Sequence, residues 1–316
     1  MKTEEIYILL DVGGTSVKCG AADRNGCFLW TEPLSFPAKS KAGKEEVFDN
    51  FVTIIEKAIE KAEAAEVEGK RIFADTACVV RGVGMAFPGP FDYDRGISLM
   101  RGLNKYDSIY GIPIGPELQS RSGRLGTAEF VYLHDIEAFA VGESIYGAAK
   151  DTDRFLCLCI GTGAGSAFVE GKRAVKSGDG VPAGGWLYNT PFKASVIDDY
   201  LSVRGLLRLS GEMVGERLSG LELCRRCEQG DPAAIACFSA FGENVSEAIT
   251  PFLDRFKPQA VVMGGQISKS FCWFGTALLG QCEERGIRIF LETETSVRAM
   301  QGLYSTMERG VKYAES

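Results

Sequence analysis

Hydrophobic residues along this chain follow two spacings, one typical of strands and one typical of helices. Six short apolar runs have the length of buried strands, at residues 6–10, 17–22, 79–85, 129–133, 155–160 and 260–263. Apolar residues that recur every three or four positions predict amphipathic helices at 45–65, 136–146, 196–210, 221–257 and about 296–313. Because strands and helices interleave along the chain, the pattern predicts an α/β protein.

One arrangement of strands and turns occurs twice in the sequence. A strand, a glycine-rich turn, a second strand and a closing turn cover residues 6–26 and again residues 155–172. The chain has 316 residues, more than a single hydrophobic core usually organises. We therefore predict two related α/β domains that face a cleft, a smaller one at 1–115 and a larger one at 116–295. The C-terminal segment, about 296–316, is expected to pack as a helix on the first domain.

The composition is that of a globular protein with an acidic surface. Hydrophobic residues make up 45% of the chain and charged residues 24%, which excludes a disordered or collagen-like chain. Asp and Glu total 42 against 35 Lys and Arg, so the net charge of −7 disfavours binding to nucleic acid phosphates. No apolar run approaches the roughly 20 residues of a membrane helix, and the apolar N-terminal stretch is short for a signal peptide. We therefore expect a cytoplasmic protein without membrane or nucleic acid partners.

The ten cysteines are expected to be reduced thiols rather than disulfides, as is usual in the cytoplasm. Cys224 and Cys227 form a CxxC pair inside a segment with helical spacing. A structural zinc site needs four ligands, but the chain has a single histidine, His134, and no second CxxC. We therefore expect no structural zinc.

The first glycine-rich turn, DVGGTSVK at residues 11–18, has the composition of an anion-binding loop. Gly13 and Gly14 allow backbone N–H groups to approach a phosphate, and the hydroxyl of Thr15 adds a donor. Asp11 is suited to hold Mg²⁺ through water, because Mg²⁺ keeps much of its hydration shell. An ordinary hairpin turn is the alternative for this segment taken alone.

IGTGAGS at residues 160–166 is a second turn of the same kind, in the matching position of the repeat. Two such turns favour a pair of phosphate-contacting loops, one from each domain, although each alone fits a tight hairpin. Later in the chain a strand ends in Gly264 and Gly265, where the lack of side chains leaves room for an adenine or ribose ring. Taken alone, this third motif is more often structural.

His134 and Asp135 lie at the end of a predicted strand. An aspartate there is well placed as a general base that removes a proton from a hydroxyl attacking a γ-phosphate. The alternative is that Asp135 caps the following helix. Neighbours on a strand point to opposite faces, so we expect no His134–Asp135 dyad. The FPGPFD loop at 87–92 is either a rigid turn or a ligand contact, because Pro88 fixes the backbone and Gly89 allows close approach.

These motifs, in their order along the chain, resemble the ROK family of sugar kinases and repressors, which has the actin-like ATPase fold. The likeness spans residues 6–310 and rests on DVGGTSVK, GMAFPGPFD, the His-Asp step before a helix ending in Gly-Glu, IGTGAGS and VVMGG. It implies two α/β domains that flank a nucleotide and sugar cleft. It also implies an enzyme that transfers the γ-phosphate of ATP to a hexose hydroxyl at C6, with Asp135 as the base.

Further site residues follow from the same resemblance. The residues implied to bind the ATP phosphates, Mg²⁺ or adenosine are Asp11, Gly13, Gly14, Thr15, Lys18, Gly161, Thr162, Gly163, Gly264 and Gly265. The residues implied to bind the sugar are Pro88, Gly89, Asn104, His134, Tyr188 and Asp198. The implied cofactors are ATP and Mg²⁺, the implied partner is a small sugar, and the family commonly forms homodimers.

The chain departs from the family pattern in its sugar-binding half. His134 stands where the family usually has Asn, and Gly185 stands where a Glu usually grips the sugar. Tyr188 replaces the usual His, Asp198 takes the place of a second Glu, and the family's Cys-rich zinc motif is absent. Tyr188 and its neighbour Trp186 either stack on a pyranose face or pack within the loop. The identity of the sugar therefore stays open.

Two other functions are compatible with the sequence. A sugar or ATP sensor, or a decayed kinase, would bind its ligand without turnover, and the retention of Asp135 argues against this reading. A ROK transcriptional regulator would carry a helix-turn-helix domain before the kinase-like core, whereas only ten residues precede Asp11. We therefore expect a sugar kinase, with either ATP or polyphosphate as the phosphoryl donor.

Overall fold

The computed structural model describes residues 3–67, 70–71 and 77–309, and the chain divides into two compact units. The first unit comprises the chain up to Gly142 together with the segment from Ser296 onward, and the second comprises residues 143–295. This division falls later than the predicted position near residue 115. The reason is that the strand Glu129–His134 pairs with the sheet of the first unit.

Strands and helices are interleaved along the chain, with several consecutive strands and several consecutive helices. The strands are β1 Thr3–Val12, β2 Ser16–Asp23, β3 Leu34–Pro37, β4 Glu66–Val67, β5 Lys70–Arg71, β6 Ala77–Phe87, β7 Phe91–Asp92, β8 Ile97–Ser98, β9 Glu129–His134, β10 Arg154–Ile160, β11 Ala164–Glu170, β12 Arg173–Val175, β13 Pro191–Phe192, β14 Ser195–Val196, β15 Ala260–Gly264 and β16 Arg288–Leu291. The helices are α1 Lys44–Glu63, α2 Ile114–Arg121, α3 Asp135–Tyr146, α4 Ile197–Tyr200, α5 Val203–Met213, α6 Gly220–Glu228, α7 Pro232–Phe256, α8 Phe271–Phe274, α9 Thr276–Glu284 and α10 Thr295–Arg309. Each apolar run with strand-like length lies within one of these strands.

The first unit is built on a five-stranded sheet in the order β3-β2-β1-β6-β9. β2 pairs antiparallel with both β1 and β3, whereas β6 runs parallel to β1 and to β9. Side chains on both faces of β1 are buried, including Ile8 on one face and Leu9 on the other. Such continuous apolar strands are expected where helices cover both faces of a sheet. α1 packs against β1, β2 and β6, and Met300 of α10 lies against Gly20 of β2.

The second unit repeats this topology. Its five-stranded sheet has the order β12-β11-β10-β15-β16. The β10–β11 and β11–β12 pairs are antiparallel, and the β10–β15 and β15–β16 pairs are parallel. The two glycine-rich turns, β1–β2 and β10–β11, therefore occupy the same position in their sheets. The internal repeat of the sequence is a repeat of sheet topology.

The segment 221–257 forms two helices rather than the predicted single one. After α6 ends, Gly230 adopts a φ of +80°, and α7 begins at Pro232 with Asp231 as its N-cap. The Asp231 carboxylate accepts hydrogen bonds from N–H groups in the first turn of α7. A glycine after one helix, followed by aspartate and proline at the start of the next, separates the two helices.

Helices α3 and α10 cross at a pair of glycines. A Cβ at Gly142 would lie 1.9 Å from the carbonyl oxygen of Arg298, and a Cβ at Gly302 would lie 1.9 Å from that of Ala138. Glycine at both positions therefore allows the two helix backbones to approach closely. The predicted C-terminal helix corresponds to α10 of the first unit, and its predicted extension over 310–316 lies outside the described residues.

All ten cysteines are free thiols. The buried ones are Cys19, Cys157, Cys227, Cys237 and Cys282. Burial raises the pKa of Cys227, Cys237 and Cys282 to about 11, which keeps these thiols protonated and unreactive at neutral pH. Within the described part of the chain, no helix combines the length and the hydrophobicity needed to cross a membrane.

Candidate active site

The first unit brings its candidate site residues to one edge of its sheet. β1, β6 and β9 run parallel, with Asp11 opposite Ala86 and Phe87 opposite His134. The carboxyl ends of these strands therefore carry Asp11, the loop after Phe87 and the His134–Asp135 step to the same edge. Ligands of open α/β sheets usually bind outside the carboxyl ends of the strands.

His134 and Asp135 form a close pair at this edge, with 2.9 Å between Nδ1 of His134 and Oδ1 of Asp135. The expectation that they point to opposite faces is wrong. His134 ends β9, whereas Asp135 is already the first residue of α3, so the alternation of a strand no longer applies. Asp135 also differs from a usual helix cap, because its Oδ1 accepts a 2.7 Å hydrogen bond from the next residue, Ile136. A usual cap accepts from an N–H further into the helix.

The pairing favours an ionised Asp135. Burial by itself raises the pKa of Asp135, but the charge and hydrogen bond of His134 outweigh that effect and lower the pKa below its usual value. The N–H of Ile136 and the charge of Lys105 act in the same downward direction. Burial lowers the pKa of His134, whereas the charge of Asp135 and their hydrogen bond raise it overall. The Asp135 side chain is 45% exposed, so a ligand has access to the carboxylate.

Asp11 is held by the hydroxyl of Ser296, which in turn accepts a hydrogen bond from Lys18. Its Oδ2 accepts a 2.6 Å hydrogen bond from the hydroxyl of Ser296, in the first turn of α10. Nζ of Lys18, which lies opposite Asp11 on β2, donates to the same hydroxyl at 3.0 Å. The pKa of Asp11 is raised, first by burial and further by the negative charge of Asp135. The sequence did not single out Ser296, because its role depends on where α10 packs.

The first glycine turn is fixed by side chains from two other segments. Tyr106 Oη donates a 2.8 Å hydrogen bond to the carbonyl of Gly13, and Ser40 Oγ donates a 2.5 Å hydrogen bond to the carbonyl of Gly14. Gly14 and Thr15 are exposed. The turn is therefore held by its carbonyls, while exposed backbone at its tip suits N–H donation to an anion.

The FPGPFD loop brings Gly89, the residue after Pro88, beside His134. A Cβ at Gly89 would lie 3.5 Å from Cδ2 of His134 and 3.5 Å from the hydroxyl oxygen of Tyr93. Tyr93 donates to the carbonyl of Phe87 at 3.0 Å, and its ring lies edge-on to the imidazole, with 6.0 Å between centroids. The loop and Tyr93 thus border the imidazole, and Tyr93 is a further residue that the sequence motifs did not mark.

Asn104 lies on an exposed loop two residues before Tyr106. Its N–H donates to the carboxylate of Asp107 at 3.0 Å, and its φ is +56°. Asparagine tolerates this left-handed conformation better than most residues. The backbone therefore gives one reason for asparagine here, and a contact with the sugar remains a prediction.

The second unit carries the other glycine turn. Gly161 N–H donates to the carbonyl of Gly163 at 2.9 Å, which closes the turn. The carbonyl of Gly161 accepts from the N–H of Val203 at 2.9 Å, at the start of α5. Thr162 at the tip is exposed. As in the first turn, carbonyls hold the loop and the tip stays accessible.

Asp198 braces this second turn. Its Oδ1 accepts a 2.7 Å hydrogen bond from the N–H of Ala164, and its Oδ2 accepts from Arg204. A Cβ at Gly163 would lie 3.0 Å from Oδ1, so glycine lets the carboxylate approach the turn. Arg204 also donates to the carbonyl of Thr162 at 3.3 Å. One carboxylate oxygen of Asp198 therefore contacts the second glycine turn, and the other contacts Arg204, which also bonds to that turn. Binding of a sugar by Asp198 stays a prediction.

Gly264 and Gly265 adjoin the second turn within the same unit. Gly264 ends β15, and Gly265 has a φ of +89°. A Cβ at Gly265 would lie 2.4 Å from the carbonyl oxygen of Ile160, the last residue of β10. Close packing between strand ends therefore requires glycine at this position, and contact with adenosine remains a prediction.

Comparison with known proteins identifies the family of this chain. The ROK family matches residues 7–285. This chain belongs to the ROK family. It is 28% identical over 285 residues to the N-acetyl-D-glucosamine kinase of Haemophilus influenzae, a match that covers 83% of this chain and 84% of that relative.

Solved ROK structures share the fold. The ROK hexokinase from Thermus thermophilus superposes with a TM-score of 0.73 at 23% identity, over 96% of this chain and 100% of that chain. A ROK family glucokinase from Streptomyces griseus, in complex with glucose and AMPPNP, gives a TM-score of 0.67 at 20% identity, over 96% of this chain and 100% of that chain. The predicted α/β fold of the actin-like ATPases is confirmed.

The candidate sugar loop of this ROK chain has its own backbone conformation. Gly185, which we expect to stand in place of a family Glu, has a φ of +74°, and a Cβ there would lie 3.0 Å from the carbonyl oxygen of Val175. Its own carbonyl accepts a 2.8 Å hydrogen bond from the buried hydroxyl of Ser166. Tyr188 is 43% exposed, with 6.2 Å between its ring centroid and that of Trp186. Tyr188 therefore keeps surface that a ligand can contact.

The Mg²⁺ that the ROK resemblance implies suits Asp11. Its hydrogen bond with Ser296 uses Oδ2, and Oδ1 has no hydrogen-bond partner among the described residues. A divalent cation would also offset the repulsion between Asp11 and Asp135 that raises the pKa of Asp11. Over the described ranges, no group of three or more His, Cys, Asp or Glu side chains is arranged to hold a metal. A single carboxylate that contacts Mg²⁺ through water fits these residues.

Proposed function

We propose that this ROK protein is a sugar kinase that transfers the γ-phosphate of ATP to the C6 hydroxyl of a hexose or a hexose derivative. The observation that carries the proposal is the pairing of Asp135 with His134 at the strand edge that also holds Asp11. The similar proteins point the same way, since their names are N-acetyl-D-glucosamine kinase, hexokinase and a glucokinase bound to glucose and an ATP analogue.

Asp135 acts as the general base in this proposal. Its lowered pKa keeps the carboxylate deprotonated at neutral pH, ready to accept the hydroxyl proton as the oxygen attacks phosphorus. The contacts with His134 and Ile136 involve Oδ1, so Oδ2 is left to accept the hydroxyl proton. A weak base is sufficient, because the transition state of phosphoryl transfer is loose and bond formation to the attacking oxygen is limited.

Each glycine turn is a candidate phosphate-binding loop of its own unit in the proposed enzyme. Gly14 and Thr15, and Thr162 in the second unit, are exposed residues of these turns, and their N–H groups would donate to phosphate oxygens. Mg²⁺, when bound, neutralises part of the phosphate charge, and Asp11 would hold it through water. Ser296 orients Asp11 for this contact.

The decisive experiment measures ADP release from Mg·ATP across a sugar panel. The panel contains glucose, mannose, allose, fructose, N-acetylglucosamine, N-acetylmannosamine and β-glucosides, and polyphosphate is tested as a second donor. Asp135→Asn should lower kcat by at least about 100-fold and leave the affinity for ATP within about twofold, because the amide keeps the shape but cannot accept the proton. Asp151→Asn, at an exposed position, is the matched control and should retain the wild-type rate. A near-wild-type kcat for Asp135→Asn contradicts the assignment of the base.

A non-catalytic sensor is the second candidate, and the sugar loop favours it. Gly185 replaces the usual Glu in a left-handed conformation, so one acidic sugar contact of the family pattern is lost. Isothermal titration would then show binding of ATP or a sugar, while the complete panel gives no ADP above the Asp135→Asn background. Turnover with any one sugar excludes this candidate.

A further inference from the structure

Lys105 occupies a backbone position that is fixed against the first glycine turn. It lies between Asn104 and Tyr106, both of which have a φ of +56°. Tyr106 donates its hydroxyl to the carbonyl of Gly13 at 2.8 Å and its N–H to the carbonyl of Ser40 at 2.5 Å. Ser40 in turn donates its hydroxyl to the carbonyl of Gly14, so both contacts of Tyr106 lead to the first glycine turn. The backbone of Lys105 is therefore held next to this candidate phosphate loop.

The side chain of Lys105 extends over that turn. Its Cδ would lie 3.7 Å from a Cβ at Gly14, so the aliphatic stem is in van der Waals contact with the glycine position. Its positive charge lowers the pKa of both His134 and Asp135. The stem of Lys105 therefore lies beside the glycine turn, and its charge acts on the His134–Asp135 pair.

Within the described residues, Lys105 has neither a hydrogen-bond acceptor nor an ion-pair partner, although it is half-buried. A lysine that only solvates the surface needs no partner, because its side chain extends into water. The stem of Lys105 instead lies against the position of Gly14. At this position the cation opposes protonation of His134 and weakens Asp135 as a base. An anion placed between the turn and Asp135 would make this arrangement favourable, because the ammonium would then contact an opposite charge.

We propose that Lys105 is a further catalytic residue, whose ammonium group contacts the phosphoryl group during its transfer. This inference rests on the proposed kinase function. In the step, the bond between phosphorus and the β–γ bridging oxygen breaks, and its electron pair stays on ADP. The bond from phosphorus to the sugar oxygen forms, and the hydroxyl proton passes to Asp135. Lys105 keeps its proton and donates hydrogen bonds to the peripheral oxygens of the moving group, where negative charge is concentrated.

The first test uses binding and needs no turnover. Lys105→Met keeps the length of the stem and removes the charge. Its affinity for Mg·AMPPNP, which has a γ-phosphate, should fall by roughly tenfold or more, whereas its affinity for Mg·ADP changes by less than about twofold. Lys57→Met, on the exposed side of α1 where Lys57 lies 5.6 Å from the Phe36 ring centroid, is the matched control and should change neither affinity. Equal losses for both nucleotides, or no loss for either, overturn the contact with the transferred phosphate.

The second test uses the rate with the sugar that the panel identifies. Lys105→Met should lower kcat by about 100-fold, in line with the loss of one donor to a developing anionic charge, and Lys105→Arg should recover at least part of it. A rise in the KM for sugar at unchanged kcat would assign Lys105 to a substituent of the sugar and overturn the proposal. If the wild type turns over and Lys105→Met has the same kcat, the catalytic role of Lys105 is overturned and the kinase function stands. A wild-type protein without turnover refutes the kinase function, and the AMPPNP–ADP comparison then still decides the phosphate contact.

Discussion

The crossing of α3 and α10 allows a quantitative prediction for Gly142→Ala. The new Cβ would lie 1.9 Å from the carbonyl oxygen of Arg298, whereas close carbon–oxygen contacts are about 3.3–3.6 Å. The obstacle is a backbone atom, which cannot rotate away as a side chain can. Relief therefore requires the two helices to separate by roughly 1.5 Å at the crossing.

The expected loss of stability is the difference between two effects. Alanine favours a helix over glycine by about 1 kcal/mol. Overpacking costs about 1–3 kcal/mol, and we take the upper value because whole helices must move. The net loss in the free energy of unfolding is then about 2 kcal/mol, equivalent to a decrease in Tm of about 4–8 °C for a unit of this size.

The same separation should disturb the candidate site. α3 begins with Asp135, and the first turn of α10 carries Ser296, which donates its hydroxyl to Asp11. Movement of either helix changes the distance between the two carboxylates. A lower kcat should therefore accompany the lower Tm of Gly142→Ala.

Thermal unfolding followed by circular dichroism measures the effect, with Gly280→Ala as the control. Gly280 lies inside α9, and a Cβ there meets nothing within 4 Å. Without a clash, alanine should raise the stability by up to about 1 kcal/mol. Gly302→Ala, which faces the carbonyl of Ala138 at 1.9 Å, should behave like Gly142→Ala. If Gly142→Ala is as stable as Gly280→Ala, the close helix crossing is refuted.

The site gives four further predictions. His134 is the only histidine, so its NMR titration is unambiguous, and Asp135→Asn should lower its pKa; an unchanged pKa would contradict the pairing. Because the pKa of His134 is raised despite burial, its contribution to stability is present below its unfolded-state pKa and is lost as the pH rises through its folded-state pKa. The pKa of Asp135 is lowered, so the contribution of Asp135 to stability is present above its unfolded-state pKa. This contribution is lost as the pH falls through its folded-state pKa. Arg204→Ala should weaken nucleotide binding by roughly threefold to tenfold, because Asp198 then loses its partner beside the second turn. Calorimetric titration with nucleotide tests this, with the conservative Arg204→Lys as the control. Gly185→Glu should lower Tm rather than improve the affinity for sugar, because a φ of +74° strains any residue with a Cβ; tighter sugar binding by this variant would show that the loop adapts.

Much of the fold could be predicted from the sequence because its signals are local. Apolar runs and helical spacing depend on neighbours, and so do the glycine-rich turns that mark the repeat. The break before α7 also had a local signal, Gly230 followed by Asp231 and Pro232, although the helical spacing on both sides obscured it. By contrast, the boundary between the units depends on the partner of β9, and a strand does not specify its partner locally.

Asp11, Asp135 and the two glycine turns could be selected as site candidates from the chain alone. These residue types, at the ends of strands, have few structural reasons to occur together. What they contact was decided by the tertiary structure. Ser296 reaches Asp11 across 285 positions of sequence, and Tyr106 reaches Gly13 across 93. His134 and Asp135 meet because a strand ends and a helix begins between them. The charge of Lys105 acts on this pair only because its loop packs against the first glycine turn. Local preferences act over a few residues, whereas a site is assembled from contacts that form only when distant segments share one core.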